Sequence, residues 1–357
     1  MSEIYKKFRS LLPVCGTKGQ RYLWIIFSLS LILFSGWEFK QKGLHLVDWD
    51  LLPISALAAI IIFLQFMRQI PEKMNKMLDF LFDRRALEAT EEKVDSLKKT
   101  ITARAEMWSR WVGLIVSFII LTVYLVVYWG QLSVIKIAVT LVATLIGYIG
   151  GNFFGQMACY GQLSRLLTKA SIRINVVPGH ADRAGGLERI GDFYFFQALV
   201  LAIPAAFLAI WWLVIPIMER YQGWRDACLG LFILAIVLEF LSFIVPLWAF
   251  HKEMKKQRDA LIRKADRSCP KINVLMDKLT TKPLPEAKEV LREDWEDMRN
   301  FYECINNMST WPLDDTKRKY FSLGNLTLLA PVIFSWVQKT EIWQRITEFF
   351  SKTGVAG

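Results

Sequence analysis

Charge and ordered cysteine patterns are what this chain has least of. Only 22% of its 357 residues are Asp, Glu, Lys or Arg, while 54% are hydrophobic. A soluble chain of this length carries about a quarter charged residues spread over two or three domains. Here the apolar residues are gathered into long blocks, which argues against an ordinary soluble enzyme. The same composition excludes a disordered chain and a collagen-like repeat. The five cysteines (Cys15, Cys159, Cys228, Cys269, Cys304) are scattered and contain no Cys-x-x-Cys, so no disulfide framework is expected. No Walker loop, nucleophile elbow, His-Glu-x-x-His or dinucleotide fingerprint occurs, and neither a cofactor nor a metal is expected.

What is present is a set of six apolar blocks: 22–37, 51–67, 111–129, 137–160, 193–218 and 227–250. Each is long enough, or nearly so, for the ~17–25 residues that cross a bilayer. The fold class expected is an all-α integral membrane protein with six transmembrane helices and helical cytoplasmic extensions. The Lys and Arg residues alternate rich and poor: 5 in 1–21, 2 in 38–50, 10 in 68–110, 1 (Lys136) after Trp129, 5 in 161–192, 2 in 219–226 and 19 from His251 onward. The positive-inside rule then puts both termini in the cytoplasm. The formal net charge of +11 belongs to that face, where anionic headgroups attract it, and no nucleic-acid partner is expected. Segment 22–67 holds the first two spans, 68–110 a charged helical stretch, 111–160 spans three and four, 161–192 a cytoplasmic loop, 193–250 spans five and six, and 251–357 a cytoplasmic tail.

Within 68–110, Leu87, Val94, Ile101 and Trp108 recur every seven residues, a weak seam that favours a helical hairpin with the chain's own helices. In the tail, a helix is expected from about Pro285 to Met308, with Trp295, Met298, Phe301, Tyr302 and Ile305 as its apolar stripe. The uncharged run 321–338 reads as a re-entrant segment or a seventh span.

The fourth block is the most informative. Counted by fours, one ridge holds Thr144, Tyr148, Asn152 and Gln156, and the neighbouring ridge holds Gly147, Gly151 and Gly155. A polar ridge facing hydrocarbon leaves amides unsatisfied, so it must face protein or water. The glycine ridge has the spacing of helix-association motifs. Glu239, thirteenth in the last block, lies at mid-membrane, where an acid marks a pathway or a pair. Its depth matches that of Asn152 to ~4–5 Å at 1.5 Å per residue, so the two are expected to face each other or a shared hydrated space.

After the fourth block, residues 172–176 alternate as an extended segment, and Pro178-Gly179 turns the chain. His180, Asp182, Arg183, Gly185 and Gly186 follow. They read either as an acid–base or anion site or as a fixed loop, with Asp182 as cap, Arg183 paired and the glycines at positive φ.

Pro178, His180, Asp182, Gly185, Gly186 and Leu187 match a Pro-x-His-Pro-Asp-x-x-Gly-Gly-Leu signature, with Ala181 in place of its second Pro. Residues 308–314 match Met-Pro-x-Trp-Pro-x-Asp, with Ser309 in place of Pro. In these residues the chain resembles an uncharacterised family of bacterial multi-pass membrane proteins. The resemblance covers roughly the last 220 residues. It implies a bacterial inner membrane and brings no assigned activity.

Three functions follow from these residues. The first is a homo-oligomeric channel or membrane effector with a polar conduit along the fourth span and Glu239. The second is a membrane-anchored scaffold or sensor whose cytoplasmic half binds a partner or ligand. The third is a membrane-embedded enzyme using His180 and Asp182. The topology is directly testable. In intact cells an impermeant maleimide should modify Gly43→Cys or Gln222→Cys, and Lys264→Cys only after lysis; modification of Lys264→Cys in intact cells would reverse the assignment.

Overall fold

The computed structural model describes residues 51–127, 134–182, 184–267, 274, 277 and 285–338. The first expected span, 22–37, lies outside the described residues. The chain divides into two units, Met1–Asn175 and Val176–Gly357, both built of helices.

In the first unit the order is α1 (Leu51–Met67), α2 (Ile70–Asp83), β1 (Leu87–Glu88), α3 (Glu91–Val127), α4 (Val134–Tyr160), α5 (Leu163–Lys169) and β2 (Arg173–Ile174). The expected charged helix of 68–110 is broken into two. Arg85 takes φ 55°, and Ala86 and Leu87 are drawn into the core instead of continuing the turn. Pro71 opens α2, and Ile70, Met74, Met77, Leu78 and Leu81 make one buried stripe at helical spacing. It packs on the N-terminal half of α3, where Val94, Leu97, Ile101 and Ala105 are buried. Lys98 of α3 ties the pair together by an ion pair with Asp79 of α2. Leu87, Val94 and Ile101 of the seven-residue seam are buried, whereas Trp108 is 40% exposed. The stretch 172–176 is extended as expected, with β2 antiparallel to β1 in the register Leu87↔Ile174 and Glu88↔Arg173.

The longest seam of this unit joins α3 to α4. A Cβ on Gly151 would lie 2.7 Å from the Cα of Gly113 and 2.7 Å from the carbonyl oxygen of Val112. One on Gly155 would lie 2.4 Å from the carbonyl oxygen of Trp108. Backbone therefore meets backbone along the glycine ridge, a contact no side chain could permit.

In the second unit, α6 (Glu188–Val214) and α7 (Arg225–Asp266) pack together, joined by 3₁₀ turns at Ile215–Ile217 and Glu219–Trp224. Two tail helices follow, α8 (Pro285–Asn306) and α9 (Asp315–Gln338). Helix α7 runs well past the expected end of the last block at Phe250. Ala205, Ala209, Phe232 and Ile236 form a core between α6 and α7, and Leu328 and Leu329 of α9 pack against it. The run 321–338 is thus continuous helix docked on α6 and α7. In the apolar stripe expected on α8, Ile305 is 1% exposed, but Phe301 is 44% and Tyr302 42% exposed.

Among the described residues, three helical stretches are long and apolar enough to cross a membrane: Glu91–Val126, Glu188–Ile217 and Tyr221–Asp266. The six spans expected from the sequence are therefore not carried by the described helices. Helix α1, with 17 residues, measures ~26 Å at 1.5 Å per residue, short of a ~30 Å hydrocarbon core.

The α3–α4 seam makes a contrast between two adjacent glycines. Nothing lies within 4 Å of a Cβ on Gly150, so Gly150→Ala should be neutral or stabilise the helix by up to about 1 kcal/mol. Gly151→Ala must push two backbones apart and should cost about 1–3 kcal/mol. Thermal unfolding of the two variants in detergent checks the difference, and equal stabilities would refute the seam.

Candidate functional site

The loop before α6 is organised by one carboxylate. Asp182 Oδ1 accepts hydrogen bonds from the backbone N–H of Ala184 (3.0 Å) and Gly186 (3.0 Å), and Oδ2 accepts from that of Glu188 (3.2 Å). Glu188 is the first residue of α6, so the charge also sits at the positive end of that helix. Gly179, Gly185 and Gly186 have φ of 78°, 64° and 89°. The last two let the chain curl so that its N–H groups converge on Asp182. His180 Nδ1 stands 2.8 Å from Asp182 Oδ1. Against an ionised carboxylate that nitrogen carries the proton and donates it, leaving Nε2 as the free nitrogen. Partial burial pushes the Asp182 carboxyl up, but the three N–H donors and the imidazole outweigh it and hold the group below its ordinary range. Arg183 lies outside the described residues.

The second motif, 308–314, closes against the same unit. Ser309 Oγ accepts from the Trp311 N–H (3.1 Å) and donates to the Trp311 carbonyl (3.0 Å), making a tight turn. Trp311 stacks on His251 of α7 with ring centroids 4.4 Å apart, and His251 Nδ1 is 2.9 Å from the Thr310 carbonyl oxygen. Gly191 of α6 supplies the seat, since a Cβ there would lie 1.9 Å from the Pro312 carbonyl oxygen. Lys317 then reaches back to α6, 2.7 Å from Glu188 and also paired with Asp192. Partial burial disfavours the Lys317 charge, yet the two carboxylates prevail and raise its pKa.

Between the loop and the end of α8 lies an open cleft of about 710 Å³. It is lined by Val177, Gly179, His180, Ala181 and Gly185 on one side, and by Asn300, Glu303, Cys304, Asn307 and Met308 on the other. Gly179 lets the loop come close to α8, since a Cβ there would be 3.3 Å from Cys304 Sγ. Cys304 is exposed, and Glu303 pairs with Arg299 at 2.9 Å. The cleft thus offers two amides, an oriented imidazole, a carboxylate and a thiol. No group of three or more His, Cys, Asp or Glu fit for a metal occurs among the described residues.

Some of the residues assigned to a pathway find partners inside their own units. Asn152 Oδ1 accepts from Ser109 Oγ of α3 at 2.6 Å, and its Nδ2 donates to the Tyr148 carbonyl at 2.9 Å. The Thr144 carbonyl accepts from Ser117 Oγ at 3.2 Å. Tyr148 and Gln156 are buried, and Gln156 Oε1 has no partner among the described residues. Glu239 is 3% exposed and accepts from Asn325 Nδ2 of α9 at 3.2 Å. Within the second unit, then, the tail supplies an amide to Glu239, and within the first unit Asn152 is engaged by Ser109.

Sequence reasoning missed Ser109, Gly113 and Ser117 on α3, and Asn325 on α9. The signal for the first three is visible afterwards: Ala105, Ser109, Gly113 and Ser117 are small residues four apart, the counterpart of the α4 ridge. In comparisons with known proteins, no family model, curated protein or solved structure matches this chain.

Asp182→Asn should destabilise the second unit by about 1–3 kcal/mol at neutral pH, because charge-assisted hydrogen bonds are lost. A carboxyl held below its ordinary value of 3.8 contributes stability above that value and loses it as the pH falls through the folded value. Thermal unfolding of the wild type and Asp182→Asn should therefore differ at pH 7 and converge at strongly acidic pH.

Proposed function

We propose that this chain is a membrane-anchored sensor or scaffold whose working part is the cleft at His180, Asn300, Cys304 and Asn307. One observation carries the reading. Two of the polar groups that would line a conduit, Asn152 and Glu239, are hydrogen-bonded in helix pairs, to Ser109 and Asn325, while the polar groups of the cleft stand open to a cavity of about 710 Å³. A cleft of that size lined by several convergent polar groups suits a small polar ligand. The imidazole is oriented by Asp182 for recognition, and the thiol beside it keeps an enzymatic role as the narrower alternative.

In this reading the helices are the anchor. Helix α4 accompanies α3 through the bilayer, because a glycine seam of that closeness holds them as one hairpin. Helix α9 accompanies α6 and α7 as a further span, with Asn325 donating to one carboxylate oxygen of Glu239. The site of residence is a bacterial inner membrane, with the N-terminus, the loop 161–192 and the cleft on the cytoplasmic side. Assembly into a homo-oligomer is compatible with the wide apolar faces of α3 and α7, on which Phe118, Val126, Val245 and Trp248 are exposed.

The test uses the full chain purified in detergent with Cys15→Ser and Cys269→Ser, so that exposed Cys304 is the thiol reached first. A low-molecular-weight extract of the host cell should slow maleimide modification of Cys304 by roughly tenfold at saturation, and Asn307→Leu should remove the protection. Proteoliposomes of the same protein should pass no ions. Ion flux that disappears in Glu239→Gln, with no protection of Cys304, would establish the conduit instead.

A further inference from the structure

A second cavity lies in the first unit, apart from the cleft. It is a half-open pocket of about 260 Å³ between the N-terminal half of α3 and the short helix α5. Lys93, Ser96, Thr100 and Arg104 line it from α3, and Lys169 lines it from α5. The α3 residues recur at steps of three or four, so they share one face of that helix. The floor is apolar, from Leu97 and Leu166, which are 3% and 5% exposed.

Three cations converge here, and among the described residues none of them pairs with a carboxylate. Three acids near the pocket in sequence are engaged elsewhere: Asp79 and Asp95 both pair with Lys98, and Glu106 pairs with Arg110. Arg104 is half-buried, and a guanidinium in that position is normally matched by an anion. The Ser96 hydroxyl is a further donor, and the Thr100 hydroxyl already donates to the Ser96 carbonyl at 2.8 Å. Mutual repulsion of three cations over an apolar floor is a standing cost that an anion removes.

The position along α3 narrows the ligand. Arg104 precedes Trp111, where the apolar part of α3 begins, by seven residues, or ~10 Å of helix. Met107, Trp108 and Trp111 are 50%, 40% and 64% exposed on the intervening turns, as aromatic and long apolar side chains are at a membrane interface. The pocket thus sits at headgroup depth. Phosphate monoesters and diesters have the charge, and their oxygens accept from Lys, Arg and hydroxyl groups together.

We propose that this pocket binds a phosphate group, carried by an anionic phospholipid headgroup or by a soluble phosphate ester. Arg104 and Lys169 clamp the phosphate from opposite walls, Ser96 donates a hydrogen bond, and Lys93 adds charge at the mouth. Occupancy ties α5 to α3 and, through β2, braces the start of the loop that leads to the second unit.

The test uses the full chain in neutral detergent, with native mass spectrometry to count bound molecules. The probes are phosphatidylglycerol, phosphatidylcholine and glycerol 1-phosphate. Phosphatidylglycerol should be retained over phosphatidylcholine, and Arg104→Gln and Lys169→Gln should each weaken its binding by roughly tenfold. Lys99→Gln removes the same charge from the same helix outside the pocket and should leave binding unchanged. Lys93→Gln and Lys169→Gln alter exposed residues and carry the test if Arg104→Gln does not fold. Binding of glycerol 1-phosphate with the same dependence on Arg104 and Lys169 would assign the site to a soluble ester. Equal loss in Lys99→Gln, equal retention of phosphatidylcholine, or no binding of any probe would overturn the proposal.

Discussion

A polar side chain buried between apolar helices is costly unless a hydrogen bond compensates it there. Much of this structure follows from that constraint. Asn152 meets it by taking the Ser109 hydroxyl across the α3–α4 seam, the Thr144 hydroxyl by donating to the Thr140 carbonyl, and the Ser117 hydroxyl by donating to the Thr144 carbonyl. Glu239 meets it in part, with one carboxylate oxygen taking an amide from the tail and the other without a partner among the described residues. The glycines of α4 serve the same end, for only a seam in which backbones touch brings a short serine side chain within 2.6 Å of an asparagine. The polar ridge and the glycine ridge are therefore two parts of one device.

The second unit applies the same economy outside the apolar helices. A single carboxylate, Asp182, accepts three backbone N–H groups and an imidazole, and so fixes both the turn and the first residue of α6. Lys317 then pairs with Glu188 and Asp192 on the first turn of that helix, which joins α9 to it. The turn at 308–314 is seated on Gly191 and His251. Residues far apart in the chain thus frame one cleft on a rigid support, the usual setting for a recognition site.

Periodicity and composition determined a good deal of this protein by themselves. The helical class, the apolar stretches of α3, α6 and α7, the facing-inward nature of the polar and glycine ridges, and the turn at Gly185-Gly186 are all local properties. Each depends on spacing along one helix or on the φ that one residue type permits, and such properties are written in neighbouring residues. The loop 180–187 was legible as a cap with glycines for the same reason: Asp182 acts on N–H groups two, four and six residues away.

Tertiary structure alone decided who meets whom. Depth along a helix is one coordinate, and rotation and neighbour order are set by packing. Asn325 lies 86 residues from Glu239, and Ser109 lies 43 from Asn152; no periodicity spans such separations. The break at Arg85 was likewise invisible, because it arises when Ala86 and Leu87 are pulled into a core and bridged to Ile174. The number of membrane-crossing helices also depended on where each helix starts and stops. Hydropathy defines a block, but caps, turns and partners define a helix, and only the folded chain supplies those.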